Sequence, residues 1–403
     1  MKEFSNFDLR LYTEIVYGKG REVEVGSLVK KYGGTRVMVV YGGGSIKKTG
    51  LYDTVVKSLL DAGLEYVDFG GAQPNPLRSH VDKGIELSKQ TGCDFYLGVG
   101  GGSALDTAKS IAYALQYGKE DWYDHIFGSW AGHPPATAQV GVILTAAAAG
   151  AECSTSIMLM DDIDRMDKKG SGGPFSRPLF CILNPELTFT CSKWQTAAGA
   201  VDIFAHTLER YFPAEGDCTL GDEFAEGVMR TVVKFAPIAY EEPENYEARA
   251  ELMLCSTFGH NDITVVGHPN PGRRGGPHYL EGCISGRFNA THGAGLSVVI
   301  PNWLKYCADF GDKACRRVAK WAVKVWGVSN DPEDPKTTAY EGIRRMRAWL
   351  RDLGMPSTLA EVGVKEENIP DLMDHCMWDE NDIHHGYVSM TRAQMRAFYE
   401  SFL

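Results

Sequence analysis

Nothing in this sequence is apolar for long enough to cross a bilayer. The longest nearly apolar stretch, Val140 to Cys153, falls short of the roughly 20 residues that a spanning helix needs. The start, MKEFSNFDLR, has no apolar signal core, so export is not expected and the cytoplasm is the expected compartment. Basic charge is in deficit: 41 Lys and Arg face 52 Asp and Glu, a formal net charge of −11. Such a chain is a poor general partner for nucleic acid or an anionic membrane, and neither is expected to bind it. Cys-x-x-Cys pairs are missing although there are 10 cysteines. Without an export signal these read as reduced, mostly buried thiols. Low-complexity tracts and solenoid repeats are missing too. Hydrophobic residues at 44% and charged residues at 23% exclude wholesale disorder. A length of 403 residues favours two or three domains.

What is present in quantity is glycine, with 45 residues, and its placement is informative. Short apolar runs at 37–41, 65–69, 95–99 and 140–144 alternate with helical patterns near 52–62, 79–91 and 104–117. Continuous apolar strands separated by helices predict a parallel sheet covered on both faces. Beyond Leu183-Asn-Pro-Glu186 the pattern becomes helical, with helices expected near 195–211, 217–240, 245–260, 293–308, 312–327 and 335–353. Ser192 and Gln195 have capping-box spacing before the first of these. The expected organisation is an α/β domain over 1–185 and an all-α domain over 186–403.

Gly42-Gly-Gly-Ser45 and Gly100-Gly-Gly-Ser103 each lie between an expected strand and an expected helix. Glycine lets the backbone approach a phosphate, and the N–H groups opening the next helix point at the anion. Neither turn fits Gly-x-Gly-x-x-Gly or a Walker sequence. Two such turns in one parallel sheet point to a dinucleotide. An NAD site usually carries an acid after a strand, for the ribose 2′-hydroxyl. Here Gly43, Gly44 and Ser45 are followed by Lys47 and Lys48, and no acid is near in sequence until Asp53. That pattern favours NADP(H) over NAD(H). The bland alternative is that both lysines are solvated residues at a helix start.

Asp202 and His206 are four apart (206 − 202) and share one helix face among apolar neighbours. Alone they fit a hydrogen-bonded core couple as well as a ligand pair. His278 and His292, each in a glycine-rich setting, bring the set to one carboxylate and three imidazoles. Such a set suits Fe²⁺ or Zn²⁺ with a position left open, a catalytic rather than a stapling metal.

With these motifs in order, the sequence resembles the iron-containing alcohol dehydrogenases, of the NADPH-dependent butanol dehydrogenase type. The marks are Tyr41-GGGSIKKTGLYD, Pro74-Asn-Pro76, Gly100-GGSALDTAK-Ser110, Asn184-Pro-Glu-Leu-Thr188, Gln195-TAAGAVDIFAH-Thr207 and Thr291-HGAGL-Ser297. The resemblance implies a Rossmann-like N-terminal domain and a helical C-terminal domain holding metal and substrate. This is the dehydroquinate synthase-like architecture of the group III metal-dependent alcohol dehydrogenases. It implies that Asp202, His206, His278 and His292 hold the metal and that the chain is a homodimer. It also implies that Asn75, Gly100, Gly101, Gly102, Ser103, Asp106, Thr145, Lys168 and Leu187 line the cofactor. The activity implied is metal-dependent, NADP(H)-linked hydride transfer between a small aldehyde and a primary alcohol. A polyol dehydrogenase or synthase of the same fold is the second reading, and a catalytically degraded NADPH- and metal-binding relative is the third.

The sequence departs from the family at points that matter. These enzymes commonly carry a proton-relaying His four residues after the third ligand, where this chain has Gly282. The family's Ala-Thr-Gly-Ser-Glu stretch is here Ala148-Ala-Gly-Ala-Glu152, without hydroxyls, and the segment from Gly267 to Pro277 is unusual. His260 and His268 flank that segment, and His268 is the candidate substitute for the proton relay. Cys283 is expected to be a core thiol rather than a soft ligand. His384-His385 and the acidic run Asp161, Asp162, Asp164 and Asp167 are expected to be solvated surface.

Overall fold

The structure is a computed structural model that describes residues 8–128, 139–164, 167–212, 218–268 and 276–403. Its contacts divide the chain into two compact units, one spanning Arg10–Thr190 and one containing Cys191–Leu403.

The first unit is built on a six-stranded, wholly parallel sheet. Its strands are β1 (Glu14–Tyr17), β2 (Arg36–Tyr41), β3 (Glu65–Phe69), β4 (Phe95–Gly100), β5 (Val140–Leu144) and β8 (Phe180–Leu183), in the order β1-β8-β5-β4-β2-β3. A separate antiparallel hairpin is made of β6 (Ser156–Asp161) and β7 (Asp167–Gly172). The helices of this unit are α1 (Val25–Lys31), α2 (Ser45–Lys48), α3 (Leu51–Asp61), α4 (Arg78–Thr91), α5 (Gly102–Tyr117) and α6 (Trp122–Gly128). β2, β4, β5 and β8 are buried nearly throughout, as strands covered on both faces must be. One face packs Val37, Val39, Leu97, Val99, Ile143 and Ile182 against Val25, Val29, Val55 and Leu59 of α1 and α3.

Strand order places the glycine turns. After β2 the chain moves outward to β3; after β4 it moves the other way to β5. β2 and β4 are hydrogen-bonded neighbours in register, Tyr41 opposite Val99. Both turns therefore sit at adjoining carboxyl ends of strands where the winding reverses, the position at which doubly wound sheets bind ligands.

The second unit is helical: α7 (Lys193–Tyr211), α8 (Thr219–Glu241), α9 (Tyr246–Gly259), α10 (Pro277–Phe288), α11 (His292–Phe310), α12 (Asp312–Trp326), α13 (Pro335–Asp352), α14 (Ile369–Asp374) and α15 (Arg392–Glu400). The Ser192–Gln195 capping box opens α7. Phe204 of α7 packs among Trp321, Trp326 and Trp349, with ring centroids 5.6 to 6.4 Å away. α7 and α11 approach so closely that a Cβ on Gly293 would stand 2.1 Å from the Ala198 carbonyl oxygen.

Several features differ from what sequence patterning suggests. β1 and β8 have four residues each, too short for periodicity to mark them. α10 lies in a glycine-rich stretch with little apolar periodicity, and Pro277 at its first turn fixes its start. The acidic run is not simply solvated. Asp161 is buried beside Arg78, at 3.3 Å, and Asp162 accepts from the Ser79 backbone N–H at the start of α4. Arg78 also pairs with Asp164 at 2.6 Å. These contacts pin the β6–β7 hairpin to α4, while the Asp167 side chain lies outside the described residues. His384 is buried, its Nδ1 3.0 Å from the Met377 carbonyl, whereas exposed His385 pairs with Asp379.

Candidate functional site

Each unit carries one group of candidate residues. In the first unit, Gly43 and Gly44 follow β2, and a Cβ at either would meet nothing within 4 Å among the described residues. Gly44 has φ +96°, a conformation that side chains other than glycine's disfavour. Ser45 opens α2. At the second turn, Gly100 has φ +155°, Gly101 is the extended N-cap of α5, and Gly102 and Ser103 are its first residues; no side chain caps this end. A helix start in that state presents N–H groups and positive dipole to an anion. The Thr145 N–H donates to the Gly100 carbonyl at 2.9 Å, which ties the end of β5 to this turn. Ala151 lies beside Gly102. Asn75 holds a left-handed φ of 56° in the Pro-Asn-Pro break.

Asp106 is buried in α5. Its Oδ2 accepts from the Met158 N–H at 3.1 Å, while Oδ1 has no hydrogen-bond partner among the described residues. Burial pushes its carboxyl up to about 6, although Lys109 and Lys168 pull the other way. Lys168, on β7, is thus brought within electrostatic reach of Asp106. Leu187 lies in a short 3-10 turn (Pro185–Thr188) and packs against the sheet's apolar cluster. One expectation needs correcting. An acid does stand near the first turn: Asp68, at the end of β3, lies 3.4 Å from Lys47 and accepts from the Tyr41 hydroxyl at 2.7 Å. Strand pairing brings it there, so counting along the sequence to Asp53 misses it. The Lys47 ammonium also lies over the rings of Tyr41 and Tyr52.

In the second unit Asp202 and His206 project from one face of α7, His278 is the second residue of α10, and His292 is the first of α11. Around Asp202 Oδ1 lie three ring nitrogens: His206 Nε2 at 3.4 Å, His278 Nε2 at 3.6 Å and His292 Nε2 at 3.8 Å. Asp202, His206 and His278 each place a donor atom within 4.8 Å of the others. Tetrahedral donors about 2.1 Å from a metal stand about 3.4 Å apart, so this spacing fits a divalent ion. Among the described residues His278 Nε2 is buried with no hydrogen-bond partner, a costly condition that a cation would relieve.

Behind the nitrogens stand two carboxylates that sequence reasoning missed. Glu209 Oε1 lies 3.1 Å from His278 Nδ1 and accepts from the His278 N–H at 2.6 Å. Fully buried Glu281 pairs through Oε2 with His292 Nδ1. A carboxylate on Nδ1 fixes the ring and directs Nε2 at the donor centre. The signal for Glu209 was available, because 202, 206 and 209 lie at helical spacing of four and three. Glu281 follows His278 by three (281 − 278), which means one face only once α10 is known to be a helix.

Burial, then the neighbouring His260 and His278, drive His206 well below its ordinary value, so it favours the neutral ring that a metal requires. Burial opposes a proton on His278, but Glu209 and Asp202 overcome it and raise that ring to about 10. A metal would therefore displace a proton there. His260 stacks on His206, centroids 4.0 Å apart. His268 is placed elsewhere: its Nε2 is 3.2 Å from Asp222, which also binds Arg317 and Lys320 in a buried ion-pair cluster. Cys283 contacts Cys376 and Tyr279. A Cβ on Gly282 would meet nothing within 4 Å among the described residues. Pro269 to Gly275, in the unusual segment, lie outside the described residues.

Comparison with known proteins bears on both groups. Residues 13–185 match the family described as "Iron-containing alcohol dehydrogenase", and 196–403 match "Fe-containing alcohol dehydrogenase family, C-terminal". The chain is 35% identical over 367 residues to NADH-dependent butanol dehydrogenase A of Clostridium acetobutylicum, covering 90% of this chain and 91% of that one. It is 31% identical to NADPH-dependent aldehyde reductase YqhD of Escherichia coli, covering 92% of each. Among solved structures, NADH-dependent butanol dehydrogenase A from Thermotoga maritima matches with a TM-score of 0.88 and 32% identity over 98% of both chains.

Proposed function

The chain belongs to the iron-containing alcohol dehydrogenase family, a class of NAD(P)-dependent oxidoreductases, and we propose that it transfers a hydride reversibly between NADPH and a small aldehyde, giving a primary alcohol. The observation that carries this reading is the convergence of three imidazole nitrogens on Asp202 Oδ1. Asp202, His206, His278 and His292 would hold one divalent ion, Fe²⁺ or Zn²⁺, in the 186–403 domain. Bound there, it supplies a Lewis acid for the carbonyl oxygen. Glu209 and Glu281 keep the His278 and His292 rings oriented.

In the 1–185 domain, Gly100 to Ser103 and the open end of α5 would cradle the cofactor's phosphates, beside Asn75, Thr145, Lys168 and Leu187. Asp106 Oδ1 offers a buried acceptor for a hydroxyl or amide donor. Gly43, Gly44 and Ser45 leave room for a 2′-phosphate, with Lys47 as the nearby cation, which supports NADP(H) over NAD(H). Asp68 competes for that cation, and the relatives' names divide between the two cofactors. The pairing of His268 with Asp222 argues against a proton-relay role for it. The homodimer implied by the likeness is checked by light scattering.

The test is loss of NADPH absorbance with short and aromatic aldehydes, for protein loaded separately with Fe²⁺ and Zn²⁺. Metal-dependent turnover, absent in His278→Ala and retained in His268→Ala, is expected. Tight metal binding without turnover on any aldehyde would instead favour the degraded relative, the reading that Ala149, Ala151 and Gly282 motivate. A larger kcat/KM with NADH than with NADPH would overturn the cofactor preference.

A further inference from the structure

Two cysteines outside the donor group lie against the helix that carries part of it. Cys283 is on α10, two residues past Glu281 (283 − 281). Its Sγ is 3.4 Å from that of Cys376, 93 residues away in sequence, and both residues are 8% exposed. Cys376 follows α14, where its thiol reaches the Leu372 carbonyl. Tyr399 of α15 completes the pocket, with its hydroxyl 3.7 Å from Cys376 Sγ and donating to the Leu280 carbonyl of α10 at 3.0 Å. Arg392 adds positive charge on the Cys376 side. Arg392 is itself paired with Asp374 and Asp382, and Glu281 opposes a thiolate at Cys283, so what sets the pair apart is its short sulfur–sulfur distance and slight exposure.

A second close pair, Cys153 and Cys181 in the first unit, makes a useful contrast. Their sulfurs are 4.0 Å apart. Cys181 is fully buried, and its neighbours Cys153 and Glu152 oppose a thiolate. Distance and exposure favour the 283–376 pair.

We propose that Cys283 and Cys376 form a reversible disulfide under peroxide, fastening α10, and with it His278 and Glu281, to the segment that follows α14. The hydrogen bond shared with Cys283 and the charge of Arg392 hold the Cys376 thiol below its ordinary value against the effect of burial. Cys376 is therefore the attacking sulfur. Its thiolate attacks a peroxide oxygen; the S–O bond forms, the O–O bond breaks, and the departing hydroxide takes up a proton as water. Cys283 sulfur then attacks the sulfenic sulfur; the S–S bond forms, the S–O bond breaks, and hydroxide leaves with the Cys283 proton as a second water. The thiol pair loses two electrons and the peroxide gains them.

Zinc-loaded full-length protein, chosen to keep iron-driven peroxide chemistry away, is treated with hydrogen peroxide, denatured, alkylated and weighed intact. The expected product is lighter by two hydrogen atoms before alkylation. Two cysteines are protected, peptide mapping links 283 to 376, and dithiothreitol reverses the change. Cys283→Ala and Cys376→Ser should each abolish the linkage. Full alkylation of both cysteines after peroxide, or protection that maps to Cys153 and Cys181, would overturn the proposal; the wild-type measurement decides this even if a variant folds poorly. Removal of Zn²⁺ by a chelator should slow by about tenfold in the oxidised protein, and an unchanged rate would overturn the fastening of α10. That second readout rests on the proposed metal site and the mass readout does not, so the two failures are distinguishable.

Discussion

Glu281 shows most directly how one side chain can govern the donor group. It is fully buried, holds His292 Nδ1, and lies so near α11 that a Cβ on Gly295 would stand 2.3 Å from its Oε1. Glu281→Gln keeps the shape and removes the charge. Zn²⁺ affinity, measured by chelator competition, should fall 10–100-fold; unchanged affinity would reduce Glu281 to a packing residue. Gly282, next to it, offers the opposite experiment. Its open surroundings admit a larger side chain, so Gly282→His should fold, retain its metal and raise kcat for aldehyde reduction by about tenfold or more if the missing relay limits turnover. No gain would place the limit elsewhere. Asp309 is far less sheltered chemically, yet informative about pH. Burial alone would raise its carboxyl, but Lys305 and Lys336, each at 2.7 Å, together with Tyr340 bring it down to about 2 from 3.8. Because the folded value is the lower one, its stabilisation is complete above about pH 4 and disappears as pH falls toward 2. Asp309→Asn should therefore lower stability at neutral pH by on the order of 1–2 kcal/mol, and the gap from wild type in urea melts should close over that acidic range. At this scale Asp202, His206, His278 and His292 were legible because carboxylates and imidazoles in apolar or glycine-rich settings need a reason to be there. Glu281 and Asp68 were not, since acids are common and only their neighbours give them meaning.

Among the elements, α7 and α11 control the site by how closely they pack. Asp202 and His206 are on α7, His292 opens α11, and Gly293 follows directly. A methyl group at Gly293 would meet backbone, the Ala198 carbonyl oxygen at 2.1 Å, and backbone cannot rotate away as a side chain can. Gly293→Ala should force the helices apart, costing about 1–3 kcal/mol in denaturant melts and weakening Zn²⁺ binding in the same protein. A loss of stability with unchanged metal affinity would show that the donor group tolerates the shift. The longer elements, such as β2, β4, α5 and α7, were readable because burial on two faces or one imposes a pattern on them. β1 and β8 were not, because four residues carry too little period. α10 was hidden by glycines and by the weak apolar bias of a short helix whose polar residues serve the site.

For the whole molecule, the metal should act as a stabilising ligand as well as a chemical one. A group of donors whose protons and charges are unbalanced without a cation gains folding free energy from binding it, about 2.7 kcal/mol at 100 times Kd. Zn²⁺ should raise the melting temperature by a few degrees in scanning calorimetry, and His278→Ala should remove that rise; an equal rise in the variant would mean that Zn²⁺ binds elsewhere. The sequence by itself determined the class of each half, the two glycine turns and four candidate ligands, because hydrophobic period, glycine placement and residue chemistry are local properties of the chain. Only the tertiary structure decided that the turns adjoin where the sheet reverses, that Asp68 reaches Lys47, that His268 meets Asp222, and that Cys283 meets Cys376. Each of these is a meeting of residues far apart in the chain, and such meetings follow from strand pairing and helix packing, which no local pattern records.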